Sequence, residues 1–95
     1  MALLSDAEIL KRIALLEGWE VAGGVIKKKF TFDSFMSAIR FIDRLAPTAE
    51  AADHHPDISI NYKRVTLTLS THSEGGITEK DFALAGEIEK IVSHA

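Results

Sequence analysis

Three histidines and two carboxylates crowd one stretch of this chain: Glu50, His54 and His55 ahead of Pro56, then His72 and Asp81. Imidazole is the side chain whose unperturbed pKa lies close to working pH, so one histidine can deliver a proton while another takes one away. That pairing is what a general acid–base elimination requires. A neighbouring carboxylate fixes a tautomer or favours the charged ring. The spacing reads Glu50, three residues, His54-His55-Pro56, five residues, Tyr62, nine residues, His72, eight residues, Asp81. On a continuing helix Glu50 and His54 share a face, while His55 points elsewhere. His72 is expected just past the end of a strand, where a loop can present it to a cleft.

Taken singly, each of these residues has a structural explanation. His54-His55 suits a helix C-terminus, where imidazolium complements the dipole. His72 suits a loop histidine satisfied by water, and Tyr62 suits packing or a turn. Asp81, three after Thr78, suits a helix cap. Adjacent histidines diverge on most backbones, and there is no His-x-x-x-His pair and no cysteine, so a dedicated zinc or iron site is not expected. His94, close to the end of the sequence, carries no functional expectation.

The elements that must position these groups follow from the pattern. Ser5-Asp6-Ala7-Glu8 is a capping box, followed by Ile9, Leu10, Ile13 and Leu16 at helical spacing, with Gly18 as the stop. Trp19–Ala22 and Val25–Phe30 flank Gly23-Gly24, a two-residue hairpin loop. A second helix has Thr31 or Asp33 as its cap and Phe35, Ala38, Ile39, Ile42 and Leu45 as its apolar stripe. Pro47 either kinks or interrupts it, or opens a new short helix at its first position. Pro56 places the helix end near His54 or His55. Asp57–Ile60 and Val65–Ser70 alternate as strands, with Val65, Leu67 and Leu69 inward. After a loop at 73–76, Thr78 caps a last helix with Phe82, Ala85, Ile88, Ile91 and Val92 on one face. The expected fold is α+β in the order α-β-β-α-β-β-α: two layers, with three helices on one face of a four-stranded antiparallel sheet.

With 95 residues, 46% hydrophobic and 26% charged, the sequence has the balance of one folded domain over 1–95. A domain of this size buries only roughly 60–70% of its unfolded surface. It has no cysteine to staple it, so oligomerisation is the economical remedy. The formal charge of −3 provides no basic field for direct nucleic-acid binding. Lys27-Lys28-Lys29 reads as a solvated strand face or edge rather than a phosphate site. No apolar run approaches the ~20 residues that span a bilayer, and Met1–Leu4 lacks the basic start of a signal peptide. A cytoplasmic protein without membrane contact is expected.

As a whole, the pattern Glu50-x3-His54-His55-Pro56-x5-Tyr62-x9-His72-x8-Asp81 resembles the signature of the pterin-4a-carbinolamine dehydratases. The likeness covers nearly the whole chain, from Ser5 through Gly18-Trp19 to Ile91. Leu67-Thr68-Leu69-Ser70-Thr71-His72 and the Gly-Gly-x-Thr-Glu-Lys-Asp that ends at Asp81 are also family-like. The family often carries an aromatic residue shortly after His-His-Pro, where this chain has Ile58. The resemblance implies dehydration of a 4a-hydroxytetrahydropterin to quinonoid dihydropterin, recycling the pterin of aromatic amino acid hydroxylases, with no metal or organic cofactor. It implies a catalytic set of His54, His55 and His72, with proton transfer at His54 and His72 and pterin contact at His55. Glu50, Pro56 and Asp81 join the substrate-binding site, and which histidine is acid and which base stays open. It further implies a homodimer or homotetramer. Because family members also serve as dimerisation partners of a transcription factor, a protein-binding module is the alternative. A relative acting on another pterin, such as one of molybdenum cofactor metabolism, is a third reading.

Overall fold

Ser5 opens the first helix as its capping pattern requires, accepting the Glu8 N–H on Oγ at 3.2 Å. This helix, α1, spans Asp6–Ile13 in a computed structural model that describes residues 2–93; His94 lies outside the described residues. Ile9 is buried and Ile13 and Leu16 pack against the core, whereas Leu10 is exposed. One residue turns a helix by about 100°, so Leu10 falls off the stripe that Ile9, Ile13 and Leu16 complete. Turns, not helix, link Ile13 to Gly18.

The hairpin forms where the glycines place it. Strands β1 (Glu20–Ala22) and β2 (Val25–Thr31) are antiparallel, and Gly23 and Gly24 take φ of 55° and 80°, as a primed hairpin turn demands. Trp19 lies outside β1 and is buried, its Nε1 donating to Glu89 Oε2 at 2.9 Å.

Helix α2 runs Phe35–Ala52. Its cap is Ser34, whose Oγ accepts the Ser37 N–H at 3.1 Å, in place of Thr31 or Asp33. Ser34 has the extended backbone a cap needs and stands directly before the first helical residue. Nor does Pro47 interrupt α2, which continues through it. The missing N–H leaves the Asp43 carbonyl without its helical donor, and both residues are exposed, so water can serve it. The buried face is Ala38, Phe41, Leu45 and Ala49. Phe35 is exposed, while Phe41 at the centre stacks near Phe30 and Phe32 with ring centroids 5.5 and 5.0 Å away.

Two further strands, β3 (Asp57–Asn61) and β4 (Arg64–Leu69), meet at a turn where Tyr62 has φ 56°. Helix α3 spans Glu79–Ser93. The sheet order is β1-β2-β4-β3, antiparallel throughout. Ile26 and Phe30 of β2 and Val65, Leu67 and Leu69 of β4 bury one sheet face against Ile9, Phe41, Leu45, Phe82, Ala85 and Ile88 of the helices. Lys27, Lys29, Thr66 and Thr68 lie on the opposite face and retain contact with water. The α+β order read from the sequence, with the helices on one sheet face, is the observed one. Arg12 ties α1 to α3, bonding Glu79 at 2.6 and 2.5 Å and Glu8 at 2.9 Å. These partners, Glu79 above all, hold its guanidinium above the usual arginine range.

Candidate active site

The first histidine of the pair takes its place from the way α2 ends. Asp53, in the left-handed conformation with φ 50°, caps the helix. The His54 N–H then reaches back to the Ala49 carbonyl at 3.2 Å, a Schellman-type closure. The helix therefore stops at Ala52, short of the His54–His55 end that Pro56 suggests. Pro56 restricts only its immediate predecessor, and Asp53 has already turned the chain.

That closure exchanges the partners expected from spacing. Because His54 is beyond the helix, it does not share a face with Glu50. Instead Glu50 Oε1 meets His55 Nε2 at 2.7 Å on the surface. His54 turns inward to Asp81, with Nε2 and Oδ1 2.6 Å apart. His54 is only 8% exposed and Asp81 fully buried. Pro56 stiffens the exit into β3, whose first residue follows it.

Asp81 is held by more than the histidine. Its Oδ2 accepts the Thr71 hydroxyl at 3.0 Å and the Thr78 N–H at 2.9 Å. The latter bond makes it part of the capping of α3, as its position three after Thr78 suggests. The Thr78 hydroxyl in turn accepts the Lys80 N–H at 3.2 Å and lies 2.7 Å from the Thr71 hydroxyl. Both threonines are buried. Neither is singled out by the sequence motif, although the run from Ser70 to His72 and the Thr-Glu-Lys-Asp segment contain them.

His72 follows β4 by three positions and opens a short 3₁₀ turn, His72–Glu74, pinned by the Thr71–Gly76 bridge. It is exposed, and among the described residues its ring has no hydrogen-bond partner. An unpartnered imidazole at a cleft is free to engage a ligand. His54, His55 and His72 all line one cavity of about 310 Å³, together with Asp53, Ser70, Thr71, Ser73 and Lys80. Lys80 is a lining residue the motif reading did not single out, although the family-like Gly-Gly-x-Thr-Glu-Lys-Asp run contains it. A larger, mainly apolar groove of about 620 Å³ between α2 and α3 also reaches His54. Pro47, Ala51, Ala52, Ala83 and Leu84 make its apolar walls, with Thr48, Lys80 and Glu87 beside His54, and neither His55 nor His72 reaches it. Only the smaller, polar cavity brings His54, His55 and His72 together. Tyr62 is at the β3–β4 turn, exposed, with the Lys63 ammonium 5.8 Å from its ring centre, and does not line the cavity. Among the described residues no group of three or more His, Asp and Glu is placed to hold a metal ion.

Comparison with known proteins agrees over most of the chain. The family model for pterin 4 alpha carbinolamine dehydratase matches residues 2–91. A protein of Roseiflexus castenholzii is 54% identical over 91 residues, covering 96% of this chain and 98% of its own. One of Sulfolobus acidocaldarius is 48% identical over 88 residues, covering 93% and 97%. Both carry the name "Putative pterin-4-alpha-carbinolamine dehydratase". The crystal structure of a transcriptional coactivator/pterin dehydratase from Brucella melitensis superposes with a TM-score of 0.88 at 39% identity, covering 93% of this chain and 96% of that one. A pterin dehydratase-like protein described as a RuBisCO assembly factor in the alpha-carboxysome superposes with a TM-score of 0.67 at 27% identity, covering 79% and 89%.

Proposed function

The chain belongs to the pterin 4 alpha carbinolamine dehydratase family, and from that premise we propose that it dehydrates a 4a-hydroxytetrahydropterin by histidine acid–base catalysis. The observation that carries the reading is the convergence of His54, His55 and His72 on one polar cavity, two of them braced by carboxylates. In this reaction a proton passes to the C4a hydroxyl and the C4a–O bond breaks, releasing water. A second proton leaves N5, whose electron pair completes the C4a=N5 double bond of the quinonoid dihydropterin. His54 and His72 exchange these protons, and no metal or organic cofactor is required. His55, steadied by Glu50, orients the ring with Pro56. Once a separate two-electron reduction has returned the quinonoid product to the tetrahydro form, the pterin can serve an aromatic amino acid hydroxylase again.

The test follows the ultraviolet spectrum of fresh 4a-hydroxytetrahydropterin. Wild type is expected to accelerate its decay, and the His54→Ala/His72→Ala double variant to lose at least about a hundredfold of that acceleration. Equal slow decay with either protein would remove the enzyme reading.

An assembly accompanies this reading. On the helix-facing side of edge strand β3, Ile58 and Ile60 stay 44% and 38% exposed. We infer that a second copy covers them, giving a homodimer or a tetramer of dimers. A different protein competing for such a surface would suit the descriptions of the two solved relatives. Sedimentation at micromolar concentration is expected to show the dimer or tetramer; a monomer would contradict it.

A further inference from the structure

Counting protons around Asp81 leads further than its role as a cap. As a carboxylate it has acceptors only, so all three contacts to it need donors. Thr71 has a single hydroxyl proton, and it lies in the bond to Asp81 Oδ2. The 2.7 Å contact between the two threonine hydroxyls must then use the proton of Thr78. Thr78 Oγ1 itself accepts from the Lys80 N–H. These bonds run one way, from the first turn of α3 through Thr78 and Thr71 into the Asp81 carboxylate.

The same count fixes the histidine. The proton between His54 and Asp81 belongs to His54 Nε2, because Oδ1 has none to give. The other ring nitrogen, Nδ1, has no hydrogen-bond partner among the described residues, and no buried side-chain nitrogen or oxygen there lacks one, so Nδ1 meets solvent. A neutral ring held this way accepts a proton at Nδ1, and a charged ring donates one from it.

We propose that Thr71 and Thr78 are positioning residues: their hydroxyl chain locks the Asp81 carboxylate, which holds His54 as the Nε2–H tautomer and leaves Nδ1 as its proton-exchanging atom. The identity of the substrate rests on the dehydratase reading above; the tautomer does not. Replacing Thr71 by valine keeps the branched shape and removes the hydroxyl that meets Asp81. It leaves the Thr78 hydroxyl in place to accept the Lys80 N–H, so the cap of α3 survives.

The experiment reads the His54 imidazole by ¹⁵N–¹H NMR in substrate-free protein, with its signals assigned by their loss in His54→Gln. Wild type is expected to show the Nε2–H form. Thr71→Val is expected to mix the tautomers and to lower kcat on the order of tenfold to a hundredfold with KM little changed, while Thr71→Ser restores both. Should Thr71→Val not fold, Thr71→Ala supplies the same comparison. An Nδ1–H form in wild type overturns the proposal without any variant, as does a tautomer that loss of the Thr71 hydroxyl leaves unmoved. A Thr71-dependent tautomer in a protein without dehydratase activity would keep the positioning network and dismiss the reaction. Full activity with an unmoved tautomer would do the reverse.

Discussion

His54 and Asp81 lie 27 positions apart in sequence, yet their side chains meet in a buried 2.6 Å contact. Replacing Asp81 by asparagine keeps the shape and puts an NH₂ group where only acceptors fit. Either His54 Nε2–H or the Thr71 and Thr78 donors would then face another donor. The expected result is a loss of about 1–3 kcal/mol of stability, with kcat lower on the order of a hundredfold. Chemical denaturation and the dehydration assay read the two separately; unchanged kcat in a folded Asp81→Asn protein would contradict the assigned role. The residue types of the site were legible in the sequence, but their pairing was not. Glu50 and His54 have helical spacing, and only the left-handed turn at Asp53 reassigns Glu50 to His55 and His54 to Asp81. Aspartate tolerates that conformation through a short polar side chain, a weak signal beside the strong one from Pro56. Thr78 was legible as a helix cap but not as a partner of Thr71, and Thr71 went unread because a hydroxyl just past a strand looks like any other until its partner is placed.

At the scale of elements, helix α2 keeps going where a proline argues that it should not. Periodicity carried every helix and strand into existence, and the errors gathered at ends and caps, where one side chain decides. Ser34 rather than Thr31 or Asp33 caps α2 because it is the residue with extended backbone one step before the first turn. Leu10 and Phe35 satisfy an apolar pattern but face water, and Phe41, which the expected stripe left out, takes the centre of the buried face while Ile39 and Ile42 are only partly buried. Pro47 is a stability cost that the packing of α2 on α3 and β4 offsets. Substituting alanine there restores the donor to Asp43 and relieves the ring's crowding, against some added freedom in the unfolded chain. Pro47→Ala is expected to raise unfolding stability by about 1–2 kcal/mol and to leave kcat unchanged, since Pro47 does not line the polar cavity. A lower denaturation midpoint would mean that the proline ring's packing in the α2–α3 groove outweighs the lost hydrogen bond.

Among the described residues the molecule is a single sheet layer under three α-helices, none of them long and apolar enough to cross a membrane, and the net charge of the sequence is −3. Composition and element order carried that architecture because alternation and helical period each leave one solution for a short α-β-β-α-β-β-α chain. What they did not carry is the exposed rim of β3, since Ile58 and Ile60 alternate like core residues and only the sheet order puts them on an edge. The joint between His54 and Asp81 has one more consequence. The entire β3–β4 hairpin lies between these two residues in the chain, so no short fragment contains the bond, and the loop it closes must be ordered before it can form. The site therefore has no folding life of its own and acts as a gauge of the cooperative unit. In urea, loss of dehydration activity is expected to coincide with loss of far-ultraviolet circular dichroism. Activity that fades well before the helices melt would reveal a hairpin able to come loose while the core holds.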